Sequence, residues 1–148
     1  VYGLIRATRY PMLGICGGHQ LLAKAFGAQV APTKRISQAA GYAGCWREKG
    51  FVSLRVAAKD PLLAGLPERL SLWENHCEEV KSLPKGFLLL VRGDKSRRQA
   101  VRHSSSKVYG VQFHPEIFNG AHPHGKVILL NFLKLAGVVG RPPDAQER

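Results

Sequence analysis

Apolar residues come in short runs along this chain, and the spacing inside each run predicts the element that it forms. Residues 12–15 are mostly apolar and are typical of a buried strand, whereas the apolar positions of 21–26 recur at helical spacing and predict an amphipathic helix that ends at Gly27. Residues 1–9 resemble the end of an earlier helix, because they begin in mid-pattern without a capping residue.

The rest of the chain is rich in predicted strands. Residues 37–50 are a glycine-spotted loop and 60–67 a turn, and a closing apolar helix at 126–136 ends at Gly137. We expect residues 1–139 to form one α/β domain, and residues 140–148, with two prolines and several charges, to be a disordered tail. The predicted strands are 28–31, 51–57, 70–74, 87–92, 99–103 and 108–113.

One cysteine lies where the first strand meets the following helix. Gly14, Gly17 and Gly18 surround Cys16 and permit the sharp turn of a nucleophile elbow. At a helix N-terminus, unpaired amides and the helix dipole stabilise a thiolate, so we expect the Cys16 thiol to be more acidic than a free cysteine. A cysteine after a strand is more often a small buried hydrophobe, so the elbow needs a partner base to count as catalytic.

That base is supplied 98 residues later in the sequence. The strand 108–113 leads directly into His114, Pro115 and Glu116. Residues two apart on an extended segment face the same side, so the imidazole and the carboxylate can meet. Since the C-terminal ends of strands in open α/β sheets carry the ligand sites, we expect this pair to lie beside Cys16.

Three separated stretches now resemble the class I (triad) glutamine amidotransferases. They are GICGGHQ at 14–20, YGVQFHPE at 109–116 and WENH at 73–76, and the resemblance runs from about residue 8 to 137. Among subfamilies, the likeness is greatest to the amidotransferase part of GMP synthase and its stand-alone relatives. The resemblance implies a flavodoxin-like three-layer sandwich, of which this chain would be a fragment lacking the N-terminal strands and a glycine-rich loop with the second oxyanion donor.

The resemblance also implies a reaction and a role for each residue. Cys16 would attack the side-chain amide of glutamine, with His114 as general base and acid and Glu116 orienting it, so that ammonia leaves and water hydrolyses the resulting thioester. The backbone N–H of Gly17 would be one oxyanion donor. Substrate contacts are implied for Gln20 in the elbow helix and for a turn containing Asn75, His76 and Cys77. An ATP-dependent synthetase partner would consume the ammonia.

Charge and cysteine content add little to this interpretation. Formal net charge is +12, with a basic run over 92–107, but no aromatic-interleaved nucleic-acid motif accompanies it, so we expect a solvated face or a dock for an acidic partner rather than specific nucleic-acid binding. No apolar run is long enough to cross a membrane. The three cysteines form no close pairs, which is typical of a reducing, cytoplasmic setting.

Other site types fit the sequence less well. His122 and His124 flank Pro123 and lack a carboxylate at useful spacing, so we expect a loop there and no metal site. A dinucleotide fingerprint would need glycine where Cys16 stands, and no P-loop is found, so no cofactor is expected. Two alternatives remain open, namely a γ-glutamyl hydrolase built on the same elbow and a binding or regulatory module that does not turn over.

Overall fold

The central sheet is built from segments that are far apart in the chain. The structure, a computed structural model, describes residues 1–139. The elements are α1 Tyr2–Ala7, β1 Met12–Ile15, α2 Gly17–Ala25, β2 Val30–Pro32, β3 Glu48–Val56, β4 Arg69–His76, β5 Glu78–Val80, β6 Phe87–Arg92, β7 Ala100–His103, β8 Val108–Val111 and α3 His124–Leu135, with short 3-10 helices at Gly41–Gly44 and Pro61–Leu63. Six strands lie in the order β1-β8-β7-β6-β3-β4, and β2 pairs with β5 in a separate ribbon.

Helices cover both faces of this sheet and give three layers. On one face, Ile5 of α1 and Leu22 of α2 pack with Val101 and Val108 of the sheet. On the other face, Ile128 of α3 packs in the main core, which contains Tyr109, Val111 and Phe113 from the neighbourhood of β8. Alternate residues of β8 therefore serve opposite cores, as the period of two in a strand requires. This is the expected three-layer α/β arrangement.

The position of the elbow is set by a parallel strand pair. β1 and β8 run parallel with Ile15 opposite Val111, whereas β7 and β8 are antiparallel. Parallel neighbours end at the same edge of a sheet, so the residues that follow β1 and those that follow β8 emerge side by side. The backbone N–H of Cys16 confirms this, because it donates to the carbonyl of Val111 across 2.8 Å.

Two glycines let α2 sit close to the sheet. Gly14 and Gly110 are register partners on β1 and β8. A Cβ on Gly14 would lie 2.7 Å from the backbone of Gly18, and a Cβ on Gly110 would lie 2.5 Å from Nδ1 of His19. Both distances are shorter than a carbon side chain tolerates, so these positions require glycine if the helix is to keep its place.

Most predicted elements are present with shifted boundaries. β6 spans the predicted residues 87–92, whereas the strand expected at 51–57 begins earlier, at Glu48, and the strand expected at 28–31 begins two residues later, at Val30. The prediction of a turn at residues 75–77 is wrong in part, because β4 continues through His76 and pairs with β3 as far as Glu48. The tail predicted at 140–148 lies outside the described residues. In the part of the chain that the structure describes, no helix is long and apolar enough to cross a membrane.

Candidate active site

Cys16 adopts a strained backbone conformation at the turn from β1 to α2. Its φ is 49° and its ψ is −104°, and it is the one non-glycine residue with positive φ among residues 1–139. Such a conformation costs about 1–3 kcal/mol and persists only where the surrounding structure holds it. Here the backbone N–H of Cys16 bonds to Val111, and its carbonyl accepts from the N–H of Gln20 at 3.1 Å. This geometry is the nucleophile elbow that the sequence predicts.

Two donors converge on the sulfur of Cys16. Nε2 of Gln112 lies 3.7 Å from Sγ, and the backbone N–H of Gly17 also hydrogen-bonds to the sulfur. Oε1 of Gln112 accepts from Nε2 of Gln20 at 3.3 Å, which fixes the amide with its NH₂ group toward the sulfur. Sequence reasoning missed Gln112 as a site residue. The signal in the sequence was a polar residue inside the predicted strand 108–113, and in the structure this side chain is fully buried.

The acidity of Cys16 differs from the sequence-based prediction. Burial raises the pKa of the thiol above its ordinary value, and the nearby carboxylates of Glu74 and Glu116 raise it further. The hydrogen bonds from Gly17 and Gln112 lower that pKa but do not outweigh burial. The expectation of an unusually acidic thiol is therefore wrong, and the sulfur carries its proton at neutral pH.

His114 and Glu116 form the predicted pair. Nδ1 of His114 lies 2.7 Å from Oε1 of Glu116, and the backbone N–H of His114 donates to the carbonyl of Trp73 at 2.8 Å, which holds the segment against β4. A carboxylate only accepts, so Nδ1 carries the hydrogen and Nε2 is left as the basic atom. Glu116 is the more exposed of the two, with 48% of its side-chain surface accessible against 22% for His114.

A cavity of about 330 Å³ opens beside the sulfur. It contains every predicted site residue outside the His114–Glu116 pair, and three that sequence reasoning did not name, Tyr42, Arg47 and Glu78. Nε of Arg47 donates to Oδ1 of Asn75 at 2.8 Å, so the guanidinium is held at the pocket wall. Tyr42 and Arg47 lie in the predicted loop 37–50, which offered no sequence signal for these contacts, because the pairing of β3 with β4 is what brings the loop to the cavity. The predicted residues in the lining are Cys16, Gly17, Gln20, Asn75, His76 and Cys77.

Several of these residues are already bonded within the protein. Nε2 of Gln20 donates to the carbonyl of Glu78 at 3.1 Å as well as to Gln112, which leaves its Oε1 as the atom for a ligand. Nδ1 of His76 lies 2.8 Å from the carbonyl of Glu78. The carbonyl of Cys77 accepts from the N–H of Thr33 at 2.8 Å. Substrate contact by Gln20, Asn75, His76 and Cys77 stays a prediction.

A buried ionic cluster lies behind the pocket. Nε2 of His76 is 3.1 Å from Oε2 of Glu74 and 3.4 Å from Oε2 of Glu48, and Glu74 is fully buried. Burial alone would lower the pKa of His76, but the two carboxylates outweigh it and raise that pKa to about 9. Sequence reasoning missed Glu48 and Glu74. The signal was the alternation of β4, in which Glu74 and His76 continue the buried face of Leu70 and Leu72.

The same three side chains are also candidate ligands for a metal ion. Ligand atoms of Glu48, Glu74 and His76 all lie within 4.8 Å of one another, which no other group of three or more His, Cys, Asp and Glu side chains in residues 1–139 achieves. Because Nδ1 of His76 faces a carbonyl and carries the hydrogen, Nε2 faces two carboxylates and takes a second proton there. A proton therefore fits this site, and a metal ion would have to displace it.

The histidines near α3 hold the loop in place. Nδ1 of His124 accepts from the backbone N–H of Ser71 at 2.8 Å, and Nδ1 of His122 lies 2.7 Å from the Ser71 hydroxyl. The ring of His122 also stacks on Phe51, with centroids 3.9 Å apart. His122 lies in the predicted loop, whereas the prediction of a loop at His124 is wrong, because α3 begins at that residue.

Comparison with known proteins agrees with this geometry. Residues 2–136 match the family model of glutamine amidotransferase class-I. The chain is similar to a glutamine-hydrolyzing GMP synthase subunit of Pyrococcus abyssi, with 41% identity over 128 residues, covering 86% of this chain and 61% of that protein. The corresponding subunit of Methanocaldococcus jannaschii is 37% identical over 131 residues, covering 88% of this chain and 62% of that protein. The chain thus spans less than two thirds of these relatives.

Solved structures show the same fold. A GMP synthase subunit from Thermoplasma acidophilum superposes with a TM-score of 0.78 and 31% identity, covering 92% of this chain and 62% of that chain. A glutamine amidotransferase from Thermotoga maritima gives a TM-score of 0.65 at 23% identity, covering 90% of this chain and 51% of that chain. These neighbours confirm the flavodoxin-like α/β architecture.

Proposed function

The chain belongs to the class I glutamine amidotransferase family, and from that premise we propose that it carries a glutaminase site, which hydrolyses glutamine to glutamate and ammonia at Cys16. The observation that carries the proposal is the elbow itself. Cys16 is held in a strained turn between β1 and α2, and the His114–Glu116 pair follows the neighbouring parallel strand. A nucleophile, a base and a group that orients the base are the parts that acyl transfer needs.

The protonation states of Cys16 and His114 support a thiol that loses its proton only during the reaction. Burial keeps the thiol of Cys16 protonated, so Nε2 of His114 accepts the proton as the sulfur attacks the amide carbon of glutamine. Glu116, bonded to Nδ1, stabilises the imidazolium. The imidazolium then protonates the leaving nitrogen, and ammonia departs as the thioester forms. Water, deprotonated by His114, attacks the thioester carbonyl, and the sulfur takes the proton back as glutamate leaves.

The oxyanion that develops in both attacks needs a donor near the sulfur. The backbone N–H of Gly17 hydrogen-bonds to Sγ and lies at the N-terminus of α2. When the sulfur bonds to carbon, this N–H becomes available to the carbonyl oxygen, so Gly17 serves as an oxyanion donor.

The pocket offers groups for both charges of a free amino acid. Arg47 would pair with the α-carboxylate of glutamine, and Glu78 with its α-ammonium, since both line the cavity next to Cys16. Asn75 holds the guanidinium of Arg47 in place through the 2.8 Å bond to Nε. Gln20 would accept from the substrate through its free Oε1. A γ-glutamyl peptide carries the same two α-groups, so its larger leaving group is what distinguishes it from glutamine as a substrate.

The destination of the ammonia follows from the relatives. Proteins described as glutamine-hydrolyzing GMP synthase subunits match most of this chain. We therefore assign the acceptor reaction to a separate ATP-dependent synthetase of the GMP synthase type, to which this site would deliver ammonia.

The test is a glutamate-release assay with native protein and Cys16→Ala, each alone and together with the ATP-dependent synthetase of the GMP synthase type. We expect Cys16→Ala to abolish turnover and Cys45→Ala, whose thiol lies outside the pocket, to keep it. Native-like turnover in Cys16→Ala would overturn the mechanism. Cleavage of γ-glutamyl peptides in preference to glutamine would favour the hydrolase alternative, and no turnover under any condition would favour the binding module.

A further inference from the structure

Three arginines stand side by side across neighbouring strands of the sheet. Arg55 of β3 is directly opposite Arg69 of β4 and also directly opposite Arg92 of β6. Residues directly opposite one another share a face, and like charges in such pairs destabilise a sheet. The arrangement therefore stores electrostatic repulsion that an anion would relieve.

A cavity of about 460 Å³ opens next to this row of arginines. Arg55 and Arg92 line it together with Arg97 and Arg98 from the loop that follows β6, and Asp94 is the one acidic residue in the lining. Its size is that of a small-molecule site, which is concave, rather than of a flat protein contact. Four guanidinium groups against one carboxylate leave a strongly positive pocket.

These arginines lack acidic partners within the described structure. Among residues 1–139, no carboxylate lies within 4.0 Å of the guanidinium of Arg55, Arg92, Arg97 or Arg98. The contrast is Arg102 on β7, whose Nε lies 3.0 Å from Oδ2 of Asp60. Arg102 thus has an acidic partner, whereas the four arginines that line this cavity form no ion pair within residues 1–139.

The loop that carries two of these arginines is anchored at several points. Nε2 of His19 lies 3.1 Å from the carbonyl of Arg98, and the N–H of Arg97 donates to Oε2 of Glu79 at 3.3 Å. Nζ of Lys95 sits 4.3 Å from the ring centroid of Trp46. These contacts fix the backbone of the loop, which lowers the cost of ordering it around a ligand.

We propose that the pocket between the ends of β3 and β6 and the loop 93–98 binds a ligand with two or more adjacent phosphoryl groups. Guanidinium forks match phosphoryl oxygens with two parallel hydrogen bonds each, and adjacent phosphoryl groups supply the multiple negative charge that four arginines require. Inorganic polyphosphates and nucleoside di- or triphosphates share this chemistry. The site is separate from the cavity beside Cys16 and does not depend on the glutaminase proposal.

Pyrophosphate is the first probe, and ATP distinguishes the two sources. In low-salt buffer, we expect pyrophosphate to raise the melting temperature of the native protein by several degrees, and titration calorimetry to give saturable binding that weakens as salt is added. Binding of ATP at least as tight as pyrophosphate would assign a nucleotide, and binding of pyrophosphate alone an inorganic polyphosphate. Sodium chloride at matched ionic strength is the solvent control.

Arg55→Gln and Arg92→Gln test whether these two pocket arginines bind the anion. Arg9→Gln is the control with the same change of charge, because Arg9 is exposed and lies in the N-terminal segment. Each pocket variant should bind pyrophosphate about tenfold or more weakly, whereas Arg9→Gln should bind like the native protein. Without anion, Arg55→Gln should melt no lower than the native protein, because it removes two like-charge contacts. Glutamate release by Arg55→Gln reports separately on the site at Cys16.

Two results would overturn the proposal. One is an equal response to pyrophosphate in the native protein and Arg55→Gln. The other is no binding of pyrophosphate or ATP together with Arg55-dependent binding of poly-glutamate, which would make this surface a dock for an acidic protein.

Discussion

Gln112 donates a hydrogen bond from Nε2 to the sulfur of Cys16 across 3.7 Å, while its Oε1 accepts from Gln20. The amide therefore links the end of β8 to the elbow and to the first turns of α2. Because its NH₂ group points at the sulfur, it favours the thiolate over the thiol and opposes part of the effect of burial on the pKa of Cys16.

Replacing this amide by a carboxylate should make Cys16 less reactive. Gln112→Glu keeps the shape of the side chain but exchanges the donor for a negative charge beside the sulfur, which raises the pKa of the thiol further. We expect alkylation of Cys16 by iodoacetamide at pH 8 to slow about tenfold, since one pKa unit is a tenfold change in thiolate. Peptide mass spectrometry measures the rate, and Gln29→Glu on the exposed surface is the control. Equal rates in the native protein and Gln112→Glu would contradict this role.

His114→Ala should reduce glutamate release more than Glu116→Ala. The first change removes the base, whereas the second leaves Nε2 of the imidazole in place and loses only the carboxylate 2.7 Å from Nδ1. The measurement is kcat for both variants at several pH values. A greater loss for Glu116→Ala would mean that these roles are assigned the wrong way round.

The buried cluster makes stability depend on pH in a defined direction. The pKa of His76 is about 9 in the folded protein, above its ordinary value of 6.5, so folding takes up a proton between these values. The stabilisation is fully present below pH 6.5 and is lost as the pH rises through 9, with an upper bound of about 3–4 kcal/mol. The raised pKa of Glu74 acts in the same sense, because that carboxyl is also more protonated when folded.

Urea unfolding at pH 6 and pH 8.5 measures this effect. We expect the native protein to be less stable at pH 8.5, and His76→Gln to be less stable than the native protein at pH 6 but to lose less on the way to pH 8.5. His103→Gln, on the opposite side of the sheet from this cluster and half-exposed, is the control. A native stability that rises between pH 6 and pH 8.5 would show that the cluster does not hold its proton.

Asn131 fastens α3 to the turn before β4. Its Nδ2 donates to the carbonyls of Leu62 and Ala64 at 3.0 and 2.9 Å, and the side chain is buried. Asn131→Ala should cost about 2–4 kcal/mol in the free energy of unfolding, because two acceptors lose their partner away from water. Asn119→Ala also removes two hydrogen bonds, but exposed ones, and should cost less than about 1 kcal/mol. Similar losses in the two variants would rule out burial as the cause.

Local sequence patterns predicted the strands and turns that depend on neighbouring residues, whereas features that depend on strand pairing were not predicted. β6 is a continuous apolar run and was predicted at its observed bounds, and the elbow and the His114–Glu116 pair follow from glycine placement and strand periodicity. The strand predicted at 70–74 stopped short of the end of β4 because Asn75 and His76 are polar, and the burial of His76 is tolerated only through its contacts with Glu74 and with Glu48 on β3.

Local patterns also could not predict the register between strands that are far apart in the sequence. Arg55 has no special neighbour in sequence, and becomes part of a row only because β3 pairs with β4 on one side and β6 on the other. In the same way, Arg47 belongs to the pocket because the β3–β4 hairpin carries it there. The acidity of Cys16 was misjudged because a sequence shows the helix end but not the burial of the sulfur.

Gly14 and Gly110, the two glycines beneath α2, should tolerate substitution less well than the larger core residues of this sheet. A core leucine can often exchange for isoleucine or methionine with local repacking, whereas a single methyl group on Gly14 or Gly110 meets backbone or a buried ring within 2.7 Å. To admit it, the helix would have to lift, carrying Gly17 and the Cys16 turn away from His114. Replacing either glycine by alanine would thus disable the chemistry before it unfolded the protein. Random mutagenesis scored by activity should therefore identify Gly14 and Gly110 sooner than the larger residues around them.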